Sequence, residues 1–277
     1  MSSSISSIKS RIKSVNSTKK ITGAMKSVST VKLNRMSKTT LKNREYKDVL
    51  HEAAKLVVNS PCDFDSIYTK QNESNKQLYI VYTSDVGLCG SYNLSIVKYL
   101  HDNVKKDDYV YLIGTSSYNV IKKEGFNIVN EMIVSDDITY FDMVKVFNKA
   151  SDMFSEGKIG KVNIIYNKYI NSITYKTSEI QVLPFVKDDA VASKEVILEP
   201  DPNEIFDSLL LLLLKNEMYN TFLESKTSEQ VARRFAMENA TKNAEDLITD
   251  LTLDYNKARQ GSITQEITEI VSGANAI

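Results

Sequence analysis

Proline is scarce in this chain of 277 residues, which has four copies, at Pro61, Pro184, Pro200 and Pro202. Two proline-free ends remain, Met1–Ser60 and Asn203–Ile277, and both space their apolar residues at helical intervals. A continuous helix over the last 75 residues would be about 110 Å long, whereas a compact globule of this chain length has a radius of gyration of about 19 Å. We therefore predict two long terminal helices that extend beyond a globular middle and cover each other's apolar stripes.

Cysteine and histidine are also scarce, and tryptophan is absent. The two cysteines, Cys62 and Cys89, are too few for a disulfide framework or a zinc site. Neither lies near His51 or His101 in the sequence, which disfavours a cysteine–histidine nucleophile. We therefore expect a reducing cytosolic setting, no metal site and no catalytic residue.

Long apolar runs are missing as well. The longest, Leu209–Leu214, has six residues, whereas a helix needs about 20 to span a bilayer. The first residues also lack the apolar core of a secretory signal. These absences predict a soluble protein with no direct insertion into a membrane.

The net charge is zero over the whole chain, but its two ends differ. Residues 1–44 contain eleven Lys or Arg and no Asp or Glu, whereas residues 203–277 contain twelve acidic and seven basic side chains, a net charge of −5. No aromatic residue suited to base stacking precedes Tyr46, which disfavours a nucleic-acid arm. We therefore predict that the two helices form an antiparallel coiled coil and leave surplus positive charge for an acidic partner. The apolar spacing behind this prediction comes from Ile5, Ile8, Ile12, Val15, Ile21, Met25 and Val28.

Between the two ends, apolar strands alternate with helical segments. The predicted strands are Leu78–Thr83, Tyr109–Gly114, Asn127–Val134, Lys161–Lys168 and Ser172–Leu183, and the predicted helices are Asn93–Lys105, Ser116–Glu124 and Ile138–Phe154. This alternation predicts a small doubly wound, Rossmann-like α/β domain, whose last strand pairs antiparallel at the edge. We expect three segments, residues 1–60, 61–200 and 201–277, with Asp201 capping the last helix and Pro202 at its first position.

A Rossmann-like sheet raises the question of a nucleotide site. The turn after the first strand, Ser84–Asn93, has glycines only at Gly87 and Gly90 and does not form Gly-x-Gly-x-x-Gly. The chain also contains no Gly-x-x-x-x-Gly-Lys-Ser/Thr motif. We therefore expect a structural scaffold without a bound cofactor.

Three sequence motifs, taken together, carry a family resemblance. The tail reads Tyr255-Asn-Lys-Ala-Arg-Gln-Gly-Ser-Ile-Thr-Gln-Glu-Ile-Thr-Glu-Ile-Val-Ser-Gly-Ala-Asn-Ala, and the start reads Ile8-Lys-Ser-Arg-Ile-Lys-Ser-Val-Asn-Ser-Thr-Lys-Lys-Ile-Thr-Gly-Ala-Met-Lys. The middle contributes Ser84-Asp-Val-Gly-Leu-Cys-Gly-Ser-Tyr-Asn. In this order the three resemble the γ subunit of F-type ATP synthases over nearly the whole chain. The departures are Val86, where the family usually has Arg, and Ser91, where it has Gly.

The resemblance implies a non-catalytic central shaft of a rotary ATPase. In that family the terminal helices turn inside a hexamer of α and β subunits, which hold the nucleotide sites. The α/β domain forms a foot that docks the ε subunit and the membrane c-ring, so that rotation couples ATP synthesis or hydrolysis to proton transport. This implies a cytoplasmic protein that is peripheral on the inner face of the cell membrane.

The resemblance also implies residues that bind the β subunits. At the matching positions of the family, polar side chains near the tail hydrogen-bond to a β-subunit loop, and two residues near the start face an acidic lever of β. In this chain they are Arg259, Gln260, Thr264, Glu266, Met25 and Lys26. Considered from its residues alone, Arg259 could instead pair with a glutamate on its own helix.

Three alternatives remain at this stage. The first is a γ-like shaft of a specialised rotary ATPase with a non-standard output, which the asparagine-, lysine- and tyrosine-rich composition and the foot-domain substitutions would fit. The second is an α/β enzyme with coiled-coil arms, which would need a phosphate loop that the sequence lacks. The third is a nucleic-acid-binding coiled coil, which the zero net charge and the acidic C-terminal helix disfavour.

Overall fold

The computed structural model describes residues 2–58, 64, 66–186, 198–199 and 201–274, and five helices and five strands lie within them. In chain order these are α1 (Ser2–Val58), β1 (Gln77–Tyr82), α2 (Tyr92–Asn103), β2 (Tyr109–Ile113), α3 (Tyr118–Lys123), β3 (Asn127–Ile128), α4 (Tyr140–Ser155), β4 (Lys161–Tyr169), β5 (Tyr175–Leu183) and α5 (Pro202–Ala274). The predicted stop of the first helix at Asn59, together with Pro61, Cys62 and Pro200, lies outside the described residues. The chain divides into two compact units, Met1–Thr30 with Arg233–Ile277, and Val31–Ala232.

The larger unit, Val31–Ala232, contains the predicted sheet, in the order β3-β2-β1-β4-β5. The first four strands are parallel, and β5 pairs antiparallel with β4, which confirms the predicted edge. Side chains alternate across the sheet, as a pleated strand requires. Ile80 and Tyr82 of β1 pack with α4 and α5, whereas Tyr79 and Val81 pack with α2 and α3. The sheet is therefore buried on both faces, as in a doubly wound fold.

The third strand is much shorter than the prediction of Asn127–Val134, because a side chain takes over the pairing. Regular pairing with β2 stops at Ile128. The next residues still follow β2, but the Asn130 amide accepts a hydrogen bond from the Leu112 N–H and donates one to the Leu112 carbonyl, both at 2.8 Å. An asparagine side chain here replaces a backbone ladder pair.

Helices α1 and α5 run antiparallel in both units, which confirms the predicted pairing. In the larger unit Arg44 lies 2.8 Å from Glu224, and Lys47 lies 2.7 Å from Glu217. In the smaller unit the ion pairs are Lys26–Glu238 at 2.8 Å and Lys19–Glu245 at 3.0 Å. In the smaller unit the two lysines are seven residues apart on α1 and their glutamates are seven residues apart on α5, which is the heptad spacing of a coiled coil.

The paired face of α1 in the smaller unit follows the predicted apolar line only in part. Thr22 and Ser29 are buried, and the Thr22 hydroxyl accepts a hydrogen bond from Thr241 at 2.8 Å. By contrast, Ile21 and Val28 are 61% and 57% exposed. Ile8 and Val15 are half-buried and lie at seven-residue steps in line with Thr22 and Ser29, so the first part of the predicted apolar line lies on the paired face. Further along α1 that face continues through small polar residues, and Ile21 and Val28 face outward.

Candidate partner-binding surface

The last turns of α5 carry four of the predicted site residues, Arg259, Gln260, Thr264 and Glu266, and all four are exposed. At about 100° per residue they lie within an arc of about 160° around the helix. The same arc contains four exposed apolar residues, Ile263, Ile267, Ile270 and Val271. Polar donors and acceptors are therefore interleaved with apolar side chains on one face, a composition typical of a protein-binding surface.

Several polar side chains of these turns form hydrogen bonds within the helix, on both faces. On the opposite face Gln265 donates to Glu269 at 2.9 Å, so those side chains are satisfied within the helix. Within the part of the chain that the structure describes, Arg259 has no ion-pair partner. The alternative that Arg259 pairs with a glutamate on its own helix is therefore not supported. Thr264 donates to the Gln260 carbonyl at 2.9 Å, and Glu266 accepts from Ser262 at 3.3 Å.

Met25 and Lys26 form a separate patch. Met25 is half-buried, between the exposed Ile21 and Val28 on the same side of α1. Lys26 pairs with Glu238 and, through its hydrogen bond and charge, holds the pKa of that carboxyl below its usual range. Glu238 and Arg259 are 21 residues apart on α5, about 32 Å along the helix axis. The structure therefore places the six predicted residues in two patches.

The turn between β1 and α2 has an internal role that the sequence did not reveal. The carboxylate of Asp85 accepts hydrogen bonds from the N–H groups of Ser135 and Asp136, each at 2.9 Å, and from the Ser135 hydroxyl at 2.8 Å. Asn93 donates to the Ser84 hydroxyl at 2.7 Å. The polar groups of the motif therefore bind one another and the loop at Ser135 and Asp136 of the same domain.

Lys226 of α5 is a second residue that sequence reasoning missed. Its side chain is 7% exposed and contacts Ser135 at 3.0 Å, Asp136 at 2.5 Å and Glu229 at 2.8 Å. Burial opposes the charged form, but the carboxylates of Glu229 and Asp136 outweigh it, and the pKa of Lys226 is raised. No local signal marks the contact with the loop, because Ser135 and Asp136 lie about 90 residues away from Lys226 in the sequence.

The described residues contain neither a candidate metal site nor a candidate membrane-spanning helix. No group of three or more His, Cys, Asp or Glu side chains in those residues is placed to hold a metal ion. No helix among them is long and apolar enough to cross a bilayer.

Comparison with known proteins gives near-complete matches. A sequence model described as ATP synthase matches residues 4–277. The γ chain of the ATP synthase of Mesoplasma florum is 34% identical over 278 residues, covering 99% of this chain and 98% of the relative. That of Clostridium botulinum strain Eklund 17B is 38% identical over 274 residues, covering 97% and 96%.

Solved structures agree on the fold. A chain from the Euglena gracilis mitochondrial ATP synthase in rotational state 3 superimposes with a TM-score of 0.75 at 18% identity, covering 100% of this chain and 95% of that one. A central-stalk chain of the Tetrahymena thermophila enzyme gives a TM-score of 0.60 at 22% identity, covering 79% and 99%. The arrangement of two long terminal helices around a central sheet is thus confirmed. Given the near-complete sequence matches, the chain belongs to the ATP synthase γ-chain family.

Proposed function

We propose that this chain is the central shaft of a rotary ATPase and turns inside a hexamer of α and β subunits. Residues 1–60 and 201–277 form the shaft, and residues 61–200 form the foot. The single observation that carries the proposal is the exposed mixed face of α5 from Arg259 to Val271, on a chain of the γ family. A long helix that leaves such a face uncovered needs a surrounding partner.

We infer the partners from the assemblies to which the similar solved structures belong. The Euglena gracilis neighbours come from assemblies described as F1 with c-ring and as a rotor, and the Tetrahymena thermophila neighbour from a central stalk with c-ring. These assemblies support the proposal that α and β subunits surround the shaft. They also support an ε subunit and a membrane c-ring as the partners of the foot. We therefore place the protein peripherally on the inner face of the cell membrane, where rotation couples ATP synthesis or hydrolysis to proton transport.

The coupling requires that the shaft be asymmetric. Around α5 the face containing Arg259 and Ile263 differs from the face containing Gln265 and Glu269. Each of three β subunits therefore meets a different surface at any one angle of the shaft. Because each angle stabilises a different conformation of each β subunit, rotation shifts their populations in sequence. The nucleotide chemistry belongs to the hexamer, and this chain supplies the angle-dependent contacts.

The two patches have different roles in this scheme. Arg259 offers a planar guanidinium, and Gln260 an amide, to carbonyl or carboxylate groups of a β-subunit loop. Thr264 and Glu266 extend the same polar line. Met25 contacts the β subunit through apolar surface, together with Ile21 and Val28, whereas Lys26 acts with part of its charge already paired with Glu238.

The double substitution Arg259→Ala with Gln260→Ala tests the proposed α5 contact. Both side chains are exposed, so the free energy of unfolding of the free chain should change by less than about 0.5 kcal/mol. Each charge-assisted hydrogen bond made in one rotary state is worth about 1.5–3 kcal/mol. ATPase turnover of the reconstituted hexamer should therefore fall by about one to two orders of magnitude.

The matched control is Gln265→Ala with Glu269→Ala, which removes two polar side chains from the opposite face of the same turns. Turnover should stay close to that of the unmodified chain. If both double variants lower turnover equally, or if neither does, the contact does not lie on the Arg259 face.

A further inference from the structure

A segment of α5 in the larger unit is buried on every side although it is mostly polar. Residues 220–232 are all at most 9% exposed, and thirteen consecutive residues make more than three helical turns. Nine of the thirteen are polar or charged: Asn220, Thr221, Glu224, Ser225, Lys226, Thr227, Ser228, Glu229 and Gln230. A helix that served only to fill a core would be apolar here, because burying polar groups costs free energy unless each is satisfied.

Contacts from three other parts of the larger unit hold α5 along and next to this segment, although Glu224 Oε2, Ser228 Oγ and Gln230 Oε1 have no hydrogen-bond partner among the described residues. From α1, Arg44 binds Glu224 at 2.8 Å, and Thr40 lies 2.9 Å from Thr227. From the sheet, the Tyr82 hydroxyl donates to the Met218 carbonyl at 3.2 Å. From α2, the Tyr92 hydroxyl donates to the Ser225 carbonyl at 3.1 Å. Hydrogen bonds depend on direction and distance, so these contacts fix the rotation of α5 about its own axis as well as its position.

The ionic contact is the one between Lys226 and the loop at Ser135 and Asp136. Lys226 binds Asp136 Oδ1 at 2.5 Å and the Ser135 hydroxyl at 3.0 Å. Asp85 holds that loop in place from the other side, by accepting both backbone N–H groups of the pair at 2.9 Å. The motif Ser84-Asp85 thus positions the loop, and the loop presents the acceptors for Lys226. A turn of α5 by one residue, about 100°, would remove the ammonium group from all of them.

We propose that Lys226, held by Ser135, Asp136 and Glu229 and backed by Asp85, is a torque-transmitting joint that locks α5 to the α/β domain. The role rests on the proposed rotary function, since it concerns how the shaft drives its own foot. Apolar packing is non-directional. The ionic joint adds directional resistance at the Ser135–Asp136 loop to that of the hydrogen bonds from Arg44, Tyr82 and Tyr92. Lys226 is therefore a positioning residue for coupling and takes no part in the contact with the β subunits.

The first test measures whether Lys226 holds the loop. In the full chain, Lys226→Met should speed amide hydrogen exchange at Ser135 and Asp136 by about a hundredfold or more, because removing one partner of a buried ion pair is strongly destabilising. The Leu112 amide, which Asn130 holds elsewhere in the domain, should be little changed. Asp136→Asn, at a half-exposed side chain, serves as a milder second variant and should give a smaller acceleration at the same two amides. If amide exchange at Ser135 and Asp136 is unchanged in both variants, Lys226 does not hold the loop and the proposed joint is refuted.

The second test measures coupling in the assembled enzyme in vesicles. With Lys226→Met or Asp136→Asn, ATP hydrolysis should persist while protons pumped per ATP hydrolysed fall, because the hexamer turns a helix that slips in its foot. Unfolded enzyme neither hydrolyses ATP nor pumps, so it does not change this ratio, and hexamers detached from the membrane are removed by washing the vesicles before the assay. The control is Lys145→Met, which breaks the exposed Lys145–Asp142 pair of α4 and should leave the ratio unchanged.

The outcomes separate the joint from the underlying function. An unchanged pumping ratio in both variants, with the unmodified chain pumping normally, would overturn the joint and leave the rotary function standing. An unmodified chain that assembles with the hexamer but supports no pumping would overturn the rotary function and, with it, the role of the joint.

Discussion

Gly114 shows how closely three chain segments meet at the carboxyl end of the sheet. Its φ is +105°, and a Cβ at this position would collide with the backbone oxygen of Thr83. The Thr83 N–H donates to the Ile113 carbonyl at 2.7 Å, and the Gly114 N–H donates to the Ile133 carbonyl at 2.9 Å. The loop that carries Ser135 therefore begins beside a residue that only glycine can occupy without strain.

Gly114→Ala should accordingly lower the free energy of unfolding by at least about 3 kcal/mol, because backbone strain adds to the collision with Thr83. Chemical denaturation of the free chain measures this. Gly157→Ala is the matched control, since Gly157 also has a positive φ, +72°, but faces open space, and it should cost about 1–2 kcal/mol. Equal losses at the two positions would show that the close approach at Gly114 contributes nothing.

At the same scale, sequence reasoning predicted some residues and missed others for a physical reason. Asp201 was predicted as a helix cap, and its carboxylate accepts the Asn203 N–H at 2.9 Å, because capping depends only on neighbours in the chain. Asp85 and Lys226 depend on partners 50 and 90 residues away. A single sequence contains no signal for such pairs. The six β-binding residues remain predictions, since their partners lie on other chains.

At the scale of elements, α1 was predicted as a helix, but only part of its paired face was predicted. The spacing of the apolar residues Ile21, Met25 and Val28 correctly indicated the period of an α-helix. Spacing does not indicate which face of the helix is buried. Which face turns inward depends on the residues opposite, and Thr241 and Glu238 of α5 satisfy Thr22 and Lys26. A shaft that meets both its own partner helix and a surrounding protein has two contact faces, and the sequence pattern alone does not separate them.

Gly23 lies within α1 and offers a direct test of how much its helix formation contributes to stability. A Cβ at Gly23 would meet no atom within 4 Å, so Gly23→Ala gains helix propensity without a collision. The free chain should be stabilised by about 0.5–1 kcal/mol, measured by thermal and chemical denaturation. The reciprocal change at the exposed neighbour, Ala24→Gly, should destabilise it by a similar amount. Destabilisation by Gly23→Ala would mean that a glycine is needed there for a reason other than helix geometry.

Over the whole molecule, the opposite charges of the two ends contribute less than their number suggests. The side chains of Lys19, Glu245, Lys26 and Glu238 are 38–52% exposed, and such pairs are worth about 0–1 kcal/mol each and are screened by salt. The groups that bear on whole-molecule stability are instead buried in the larger unit. Besides Lys226 these include four tyrosines, Tyr79, Tyr82, Tyr92 and Tyr166, all at most 5% exposed.

These tyrosines predict a steep loss of stability in alkali. Burial is the main cause that raises the pKa of all four, and it brings that of Tyr79 from 10.0 to about 12 with help from the charge of Glu179. A raised pKa stabilises the folded state fully below the unfolded value, here about pH 10, and this stabilisation is lost as the pH rises toward the folded value. Between pH 10 and 12 each such tyrosine lowers the free energy of unfolding by about 1.4 kcal/mol per pH unit, or about 5.6 kcal/mol per unit for the four.

The free chain should therefore unfold cooperatively between pH 10 and 12, with tyrosinate absorbance and loss of helical circular dichroism rising together. The pKa of Lys226 is also raised, so its stabilising charge is likewise lost as the pH rises through alkaline values. Tyr79→Phe removes one titrating group, whose hydroxyl donates to Gln77 at 3.2 Å. The variant should therefore lose free energy of unfolding less steeply with pH, by about 1.4 kcal/mol per pH unit, which corresponds to one proton. Full tyrosine ionisation near pH 10 with helicity retained would show that these hydroxyls are open to solvent. The buried contacts of Tyr82 and Tyr92 with α5 could then not hold that helix against rotation.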